Sequence, residues 1–351
     1  MKAIIIHAPH DLRVQEFALP DAAPAAGEVR VRMAAGGICG SDLHYYHDGG
    51  FGTVRVRQAM ALGHEASGFV EAVGADVKGV RVGDLVAVNP SRPCQSCPNC
   101  CAGLHIHCTD MRFNGSAMRM PHEQGLFREC IAVEEHRAVV MPAGIRPAEA
   151  ALCEPFAVCL HAASHAGDLA GKTVLVSGCG PIGVLCVVIA KLRGAARILA
   201  TDIARASLDM AARMGATDCF DVSSGMEALA PFAEAKGQVD VVFECSGNPR
   251  ALAGAIPLIR PLGRMVLVGI GGDCALPVNL IVAKELQLFG TFRFDSEFNE
   301  AAALIGGKTV DLSPMVSAIY PMEDAVAAFA HAGDRTRATK VAIALSDRGA
   351  G

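Results

Sequence analysis

The chain has 351 residues, 52% of them hydrophobic, with 37 glycines and a formal net charge of −5. That length exceeds one modest core and favours two domains, and the apolar fraction fits a well-packed globular protein. The acidic balance speaks against a nucleic-acid binder, which would present a basic face, and no like-charge block, repeat or low-complexity tract alters that.

In chain order, "MKAIIIHAPHDLRVQEF" opens with an apolar run broken by His7, Pro9 and Asp11, too short for a secretory signal, and predicts a strand. "EVRVRMAAGGICGSD", "GHEASGFVEAVGADV" and "VRVGDLVAV" are short runs closed by Gly, Asn or Asp turns, which predicts a compact barrel-like β domain up to about residue 150. From about residue 170 strands and helices alternate: "KTVLVSG", "PIGVLCVVIAKLRG", "RILATD", "ARASLDMAARMG", "ATDCFDV", "VDVVFECSG", "GRMVLVGIG" and "ELQLFGTF", with further helices expected at 225–235 and 249–260. This rhythm predicts an α/β domain with a doubly wound parallel sheet. The apolar stretch within it is too short for a bilayer and is interrupted by a lysine, so no membrane partner is expected and the cytoplasm is the default compartment. In the tail, "NEAAALIGG" and "MEDAVAAFAHAG" predict helices and "KVAIAL" a strand, and the tail is expected to rejoin the first domain.

"VSGCGPIG" sets Gly178, Gly180 and Gly183 in G-x-G-x-x-G directly after a strand and at the start of a helix. The first glycine permits a tight turn, the second lets backbone approach a pyrophosphate, and the third allows close helix–strand packing. Pro181 costs little in a first helical turn, and the free N–H groups of that turn attract phosphate. Asp202, nineteen positions beyond Gly183, ends the next strand, where a carboxylate accepts ribose hydroxyls and repels a 2′-phosphate. NAD is therefore the expected cofactor, with Arg205 leaving NADP open.

"PCQSCPNCCAGLHIHC" gathers five of the fourteen cysteines. Cys94, Cys97, Cys100 and Cys108 have a spacing that can close a four-thiolate zinc site within one loop. Cys101 reads as a packed bystander, His105 and His107 as competing ligands that the simpler four-thiolate set does not need. No basic recognition helix adjoins the loop, against a nucleic-acid finger. A second, dispersed set comprises Cys39, Ser41 and His44, then His64 and Glu65, then Glu154. Together a thiolate, an imidazole and a carboxylate suit a catalytic zinc with an open position, which makes two zinc ions per chain.

G-H-E-x-x-G, the four-cysteine lobe and G-x-G-x-x-G, in this order, resemble the zinc-containing medium-chain alcohol and polyol dehydrogenases over essentially the whole chain. Glu154 in "CEPFAV" matches the sorbitol-dehydrogenase-like branch, where glutamate replaces a third cysteine. The resemblance implies a GroES-like β-barrel catalytic domain at 1–150 with a zinc lobe at 93–109, a Rossmann NAD-binding domain at 151–292, and a return at 293–351. It implies hydride transfer from an alcohol of a sugar acid or polyol, a catalytic zinc among Cys39, His64, Glu65 and Glu154 with either glutamate as the direct ligand, and proton relay by Ser41 and His44. It also places Ile182, Ile203, Cys245, Ser246, Gly247, Val268, Gly269, Ile270, Thr291, Phe292 and Arg293 with the glycine loop, Pro181, Asp202 and Arg205 around the cofactor, and implies a homodimer or homotetramer. One or more of Arg112, Arg119 and Arg293 are expected to meet a substrate carboxylate, with the cofactor side as the alternative for Arg293, and Tyr45 and Tyr46 are open between cleft and core.

Overall fold

A computed structural model of the chain describes residues 1–19 and 23–349; residues 350 and 351, the end of the expected return segment, lie outside the described residues. The chain divides into two compact units. The first comprises Met1–Glu154, Phe298–Asp334 and Lys340–Gly351, and the second Pro155–Glu297 with Arg335–Thr339.

In the first unit, β1 (Glu28–Gly37), β2 (Glu65–Val73), β3 (Leu85–Val88), β4 (Cys130–Glu134) and β5 (Ala138–Val140) pair antiparallel. The inward side chains of β1, Val29, Val31 and Met33, are buried, and its small residues from Ala34 to Gly37 let neighbouring strands approach closely. The segment "GSDLHYYHD", for which no element is predicted above, forms helix α1 (Gly40–Asp48). Cys39 caps it in an extended conformation, and Asp42 closes a capping box on the Cys39 N–H at 3.0 Å.

The second unit holds six parallel strands: β6 (Thr173–Ser177), β7 (Arg197–Asp202), β8 (Asp218–Asp221), β9 (Val239–Glu244), β10 (Ile259–Leu267) and β11 (Gln287–Gly290). Their spatial order, β8-β7-β6-β9-β10-β11, is the doubly wound order that reverses direction beside β6. Helix α2 (Cys153–Ala166) leads into this unit, and α3 (Pro181–Leu192) follows the glycine loop. The predicted helix at 225–235 is instead a kinked 3-10 segment, Glu227–Lys236, where Pro231 removes an amide donor. The helix expected at 249–260 stops as α-helix at Ala255, and Ile259 already begins β10.

The tail returns two strands to the first sheet, β12 (Val316–Pro321) and β13 (Lys340–Ala344). β13 lies antiparallel to β1, with Ala342 opposite Gly37, while Gly37 also faces Glu65 of β2. This register joins the ends of three strands distant in sequence. Among the described residues no helix is long and apolar enough to cross a membrane.

Candidate active site

Cys39 and His64 stand where two strand–loop junctions of the first unit meet. Cys39 ends the segment after β1, and His64 enters β2 from Gly63, whose φ of +90° is the left-handed conformation that favours glycine. Asp42, fully buried, ties these junctions: one oxygen accepts from the Cys39 amide and the other from the Gly63 amide at 3.2 Å, 3.9 Å from His64 Nδ1. The side-chain donor atoms of Cys39, His64 and Glu65 all lie within 4.8 Å of one another. Glu154, buried in the first turn of α2, stands outside this tightest group; burial raises its pKa to about 8, His64 opposes the rise, and the charges of Glu65 and Cys39 add to it.

Glu65 has a partner that the sequence reading missed. Lys340 Nζ donates to both its carboxylate oxygens, at 2.8 and 2.7 Å, and to the Ile38 carbonyl at 3.2 Å. Both side chains are buried. Burial works against the Lys340 ammonium, but Glu65, Cys39 and Glu154 outweigh it and hold its pKa above the ordinary lysine value. A Cβ on Gly37 would meet Glu65 Oε2 at 2.4 Å, so this glycine makes room for the pair. Local sequence carries no sign of Lys340; Asp42 was also missed, and its only local signal is its capping position three residues after Cys39.

The donor chemistry fits a metal. Cys39, Asp42, Glu65 and Glu154 are four acids in one buried region, and Lys340 is committed to Glu65. Burial and the Glu65 charge push the Cys39 thiol up to about 12, and burial raises Asp42. A divalent cation offsets such a cluster, and a thiolate, an imidazole and a carboxylate form a zinc donor set.

Ser41 and His44 share one face of α1, three residues apart. His44 is exposed, with Nδ1 3.1 Å from Asp48 Oδ2. Tyr45 and Tyr46 are core residues; the Tyr45 hydroxyl accepts from the Ala117 amide at 3.1 Å.

In the lobe, the sulfurs of Cys94, Cys97, Cys100 and Cys108 all lie within 4.8 Å of one another. Backbone N–H groups of Cys94, Cys97 and Asp110 donate to these sulfurs at 3.2 to 3.3 Å, which favours thiolates. The amide of Cys100 lowers the Cys97 thiol, while burial raises Cys100. This group fits a four-thiolate zinc. Cys101 is exposed rather than packed, its sulfur 3.7 Å from the Ser96 carbonyl, because the short helix at Pro98–Cys101 turns it away from Cys100. His105 and His107 are not part of the thiol cluster.

In the second unit the expected cofactor residues gather at the carboxyl ends of the parallel strands. Gly178, with φ of +87°, would place a Cβ 2.8 Å from Ser246, and Gly183 would place one 1.8 Å from the Gly178 carbonyl. Nothing lies within 4 Å of a Cβ on Gly180, which caps α3 ahead of Pro181 and Ile182 and keeps its backbone open to a ligand. Asp202 Oδ2 accepts from the Cys179 amide at 2.6 Å and Oδ1 from Ala204 at 2.9 Å, leaving lone pairs for a ribose. Ile203 is exposed beside it, and Arg205 points outward to Asp209.

Glu244, also missed by the sequence reading, shapes the next loop. Fully buried, it accepts from the amides of Ser246 and Gly247 at 3.0 and 3.1 Å and from the Ser246 hydroxyl, which fixes the turn after Cys245. Its carbonyl takes the amides of Val268 and Gly269, both at 2.8 Å, so the loop leading to exposed Ile270 packs on this turn. Thr291 follows β11, and the Arg293 guanidinium lies 4.9 Å over the Phe292 ring.

Two of the three arginines named for a substrate carboxylate already have acids. Arg112 Nη1 is 2.6 Å from Glu123 Oε1, and Arg119 pairs with Asp110.

Residues 181–307 match a zinc-binding dehydrogenase model and residues 25–143 an alcohol dehydrogenase GroES-like domain. The chain is 41% identical to the L-idonate 5-dehydrogenase (NAD(P)(+)) of Escherichia coli strain K12 over 314 residues, 89% of this chain and 90% of that protein. It is 33% identical to the sorbitol dehydrogenase of Bacillus subtilis over 327 residues, 92% of this chain and 91% of that protein. The crystal structure of L-idonate 5-dehydrogenase from Escherichia coli superposes with a TM-score of 0.92 at 38% identity, covering 98% of this chain and 97% of that one.

Proposed function

This chain belongs to the zinc-binding dehydrogenases built with an alcohol dehydrogenase GroES-like domain, and from that premise we propose that it oxidises L-idonate to 5-dehydro-D-gluconate with NAD. It is a zinc- and NAD(P)-dependent dehydrogenase of a polyol or sugar acid. The convergence of Cys39, His64 and Glu65 beside buried Glu154, in a chain so similar to an L-idonate 5-dehydrogenase, carries the reading.

When bound, zinc supplies a Lewis acid that lowers the pKa of an alcohol by several units, and NAD supplies the hydride acceptor. Cys39, His64 and Glu154 would hold the ion. Glu154 is the better carboxylate ligand because Glu65 is engaged through both oxygens by Lys340. Asp42 orients the two ligand junctions through the Cys39 and Gly63 amides. Ser41 takes the alcohol proton, and exposed His44, held by Asp48, passes it to solvent. Asp202 binds the ribose hydroxyls and disfavours a 2′-phosphate, so NAD is preferred over NADP.

A neutral polyol is the second reading, favoured by the pairing of Arg112 with Glu123 and Arg119 with Asp110, which leaves neither guanidinium free as a carboxylate fork. Initial rates with L-idonate, D-gluconate, sorbitol and xylitol separate the two. A higher kcat/KM for idonate supports the first, and a higher value for a neutral polyol overturns it. Replacing Arg112 and Arg119 with Ala in turn is expected to raise KM for idonate if either guanidinium turns to the substrate; unchanged values place the clamp elsewhere.

We place the enzyme in the cytoplasm, where thiol ligands stay reduced. Its partner is a second copy joined along the open edge of β11, beside exposed Val278, Val282 and Phe292, as a dimer or a tetramer. Light scattering during gel filtration tests this, and a monomer at micromolar concentration overturns it.

A further inference from the structure

Away from the metal centre, the first unit contains a cavity of about 290 Å³ lined by Arg92, Arg112, Arg128 and Arg137 together with Asn114 and Glu123. Three of the arginines are satisfied. Arg112 holds Glu123 at 2.6 Å, and Arg92 lies 3.8 Å from Glu123 and 3.7 Å from Glu134. Arg137, buried, donates to Glu134 at 3.0 Å, to the Asn89 carbonyl at 2.9 Å and to Asn114 Oδ1. Arg128 differs. Its Nε is buried without a hydrogen-bond partner, and among the described residues no carboxylate forms an ion pair with it; its guanidinium lies 5.8 Å from the Phe17 ring centroid. Burial lowers its pKa to about 10, which still leaves it charged at neutral pH.

Four guanidinium charges thus face two carboxylates, Glu123 and Glu134. Arg128 is a partly buried charge with no counterion among the described residues, and planar guanidinium groups match the oxygens of phosphate and carboxylate groups. The cavity is near the lower end of ligand-pocket sizes, too small for a dinucleotide. We propose that this cavity is an oxyanion site, distinct from the metal centre and the cofactor edge, that takes a small dianion such as phosphate or the phosphoryl group of a small metabolite. Arg128 supplies the charge that lacks a protein partner, and Arg92 and Arg112 approach from the more exposed rim. The site adjoins the catalytic region through one strand pair: Phe113, next to Arg112, lies 5.7 Å from the His64 ring.

The test uses the zinc-loaded enzyme saturated with NADH, so that the pyrophosphate position is filled. Calorimetric titration with inorganic phosphate and, separately, with glycerol 3-phosphate, against acetate at matched ionic strength, is expected to show one saturable site per chain for at least one dianion and weaker binding of acetate. Arg128→Met is expected to weaken that binding by tenfold or more while NADH affinity stays unchanged. If that variant does not fold, Arg92→Gln and Arg112→Gln are expected to weaken it severalfold each. Saturation by phosphate alone assigns the free ion, and saturation by the ester assigns the phosphoryl group. No saturable dianion binding, binding no tighter than acetate, or equal binding in wild type and the arginine variants overturns the proposal.

Discussion

Lys340 shows most directly how one residue conditions this centre. Its ammonium is the neutralising group for Glu65, and both are almost fully buried. Removing one partner of such a pair leaves a buried charge and typically costs about 3–5 kcal/mol. Lys340→Met is therefore expected to lower unfolding free energy by about that amount in metal-depleted protein, measured by urea denaturation, and Glu65→Gln in the same chain should recover part of the loss. A loss under about 1 kcal/mol would mean that the pair is not formed. At this scale the candidate ligands were legible from residue type and motif, because Cys39, His64, Glu65 and Glu154 each stand in a short recognisable string. Lys340 was not legible, since a lysine opening a β-branched strand looks like any solvated strand end. Arg112 and Arg119 were legible as arginines, but their acids were not, and the acids decide what those arginines can do.

Among the elements, the turn from β6 into α3 is set by sterics that a single methyl group tests. Gly183→Ala places its Cβ 1.8 Å from the Gly178 carbonyl, so the glycine loop must shift. We expect NADH affinity to fall about tenfold, equivalent to ~1.4 kcal/mol, with zinc content unchanged, read by fluorescence titration and metal analysis. The junction of β7 and β8 carries an acid-sensitive contact. Arg197 donates to both oxygens of Asp218 at 2.9 and 2.8 Å and is the main cause of an Asp218 pKa lowered to about 2. The unfolded chain takes up this proton near pH 3.9, so the contact stabilises fully above that value and its contribution is lost as pH falls towards 2. Asp218→Asn should flatten the fall of stability across that window in acid-titrated melts; an unchanged slope would assign the acid sensitivity to other groups. The clustering of the four lobe thiols was readable because they lie within fifteen positions, and one loop can bring them together without help from the rest of the fold. Helix α1 was missed because its start depends on Cys39 and Asp42 acting as a cap, a signal less regular than the usual serine or threonine.

At the level of the whole molecule, the two zinc positions should separate experimentally. Metal analysis of the intact enzyme is expected to give two zinc ions per chain, and Cys100→Ser one. Chelation that empties the catalytic position should abolish oxidation and leave NADH binding close to normal, because the glycine loop, Asp202 and the Glu244 turn all lie in the second unit. Zinc addition should restore turnover, and a metal-free enzyme that keeps its rate would rule out the assigned chemistry. By itself the sequence determined the features that depend on near neighbours: the alternation of strands and helices, the dinucleotide turn, the four-thiolate lobe and the family to which these motifs belong. Tertiary structure alone decided which charges meet, since Lys340 reaches Glu65 across 275 positions through the pairing of β13 with β1 and β1 with β2. The reason is physical: a motif is written in bonded order, whereas the ionisation of a buried carboxylate depends on the charges and solvent around it, and strand register places those groups.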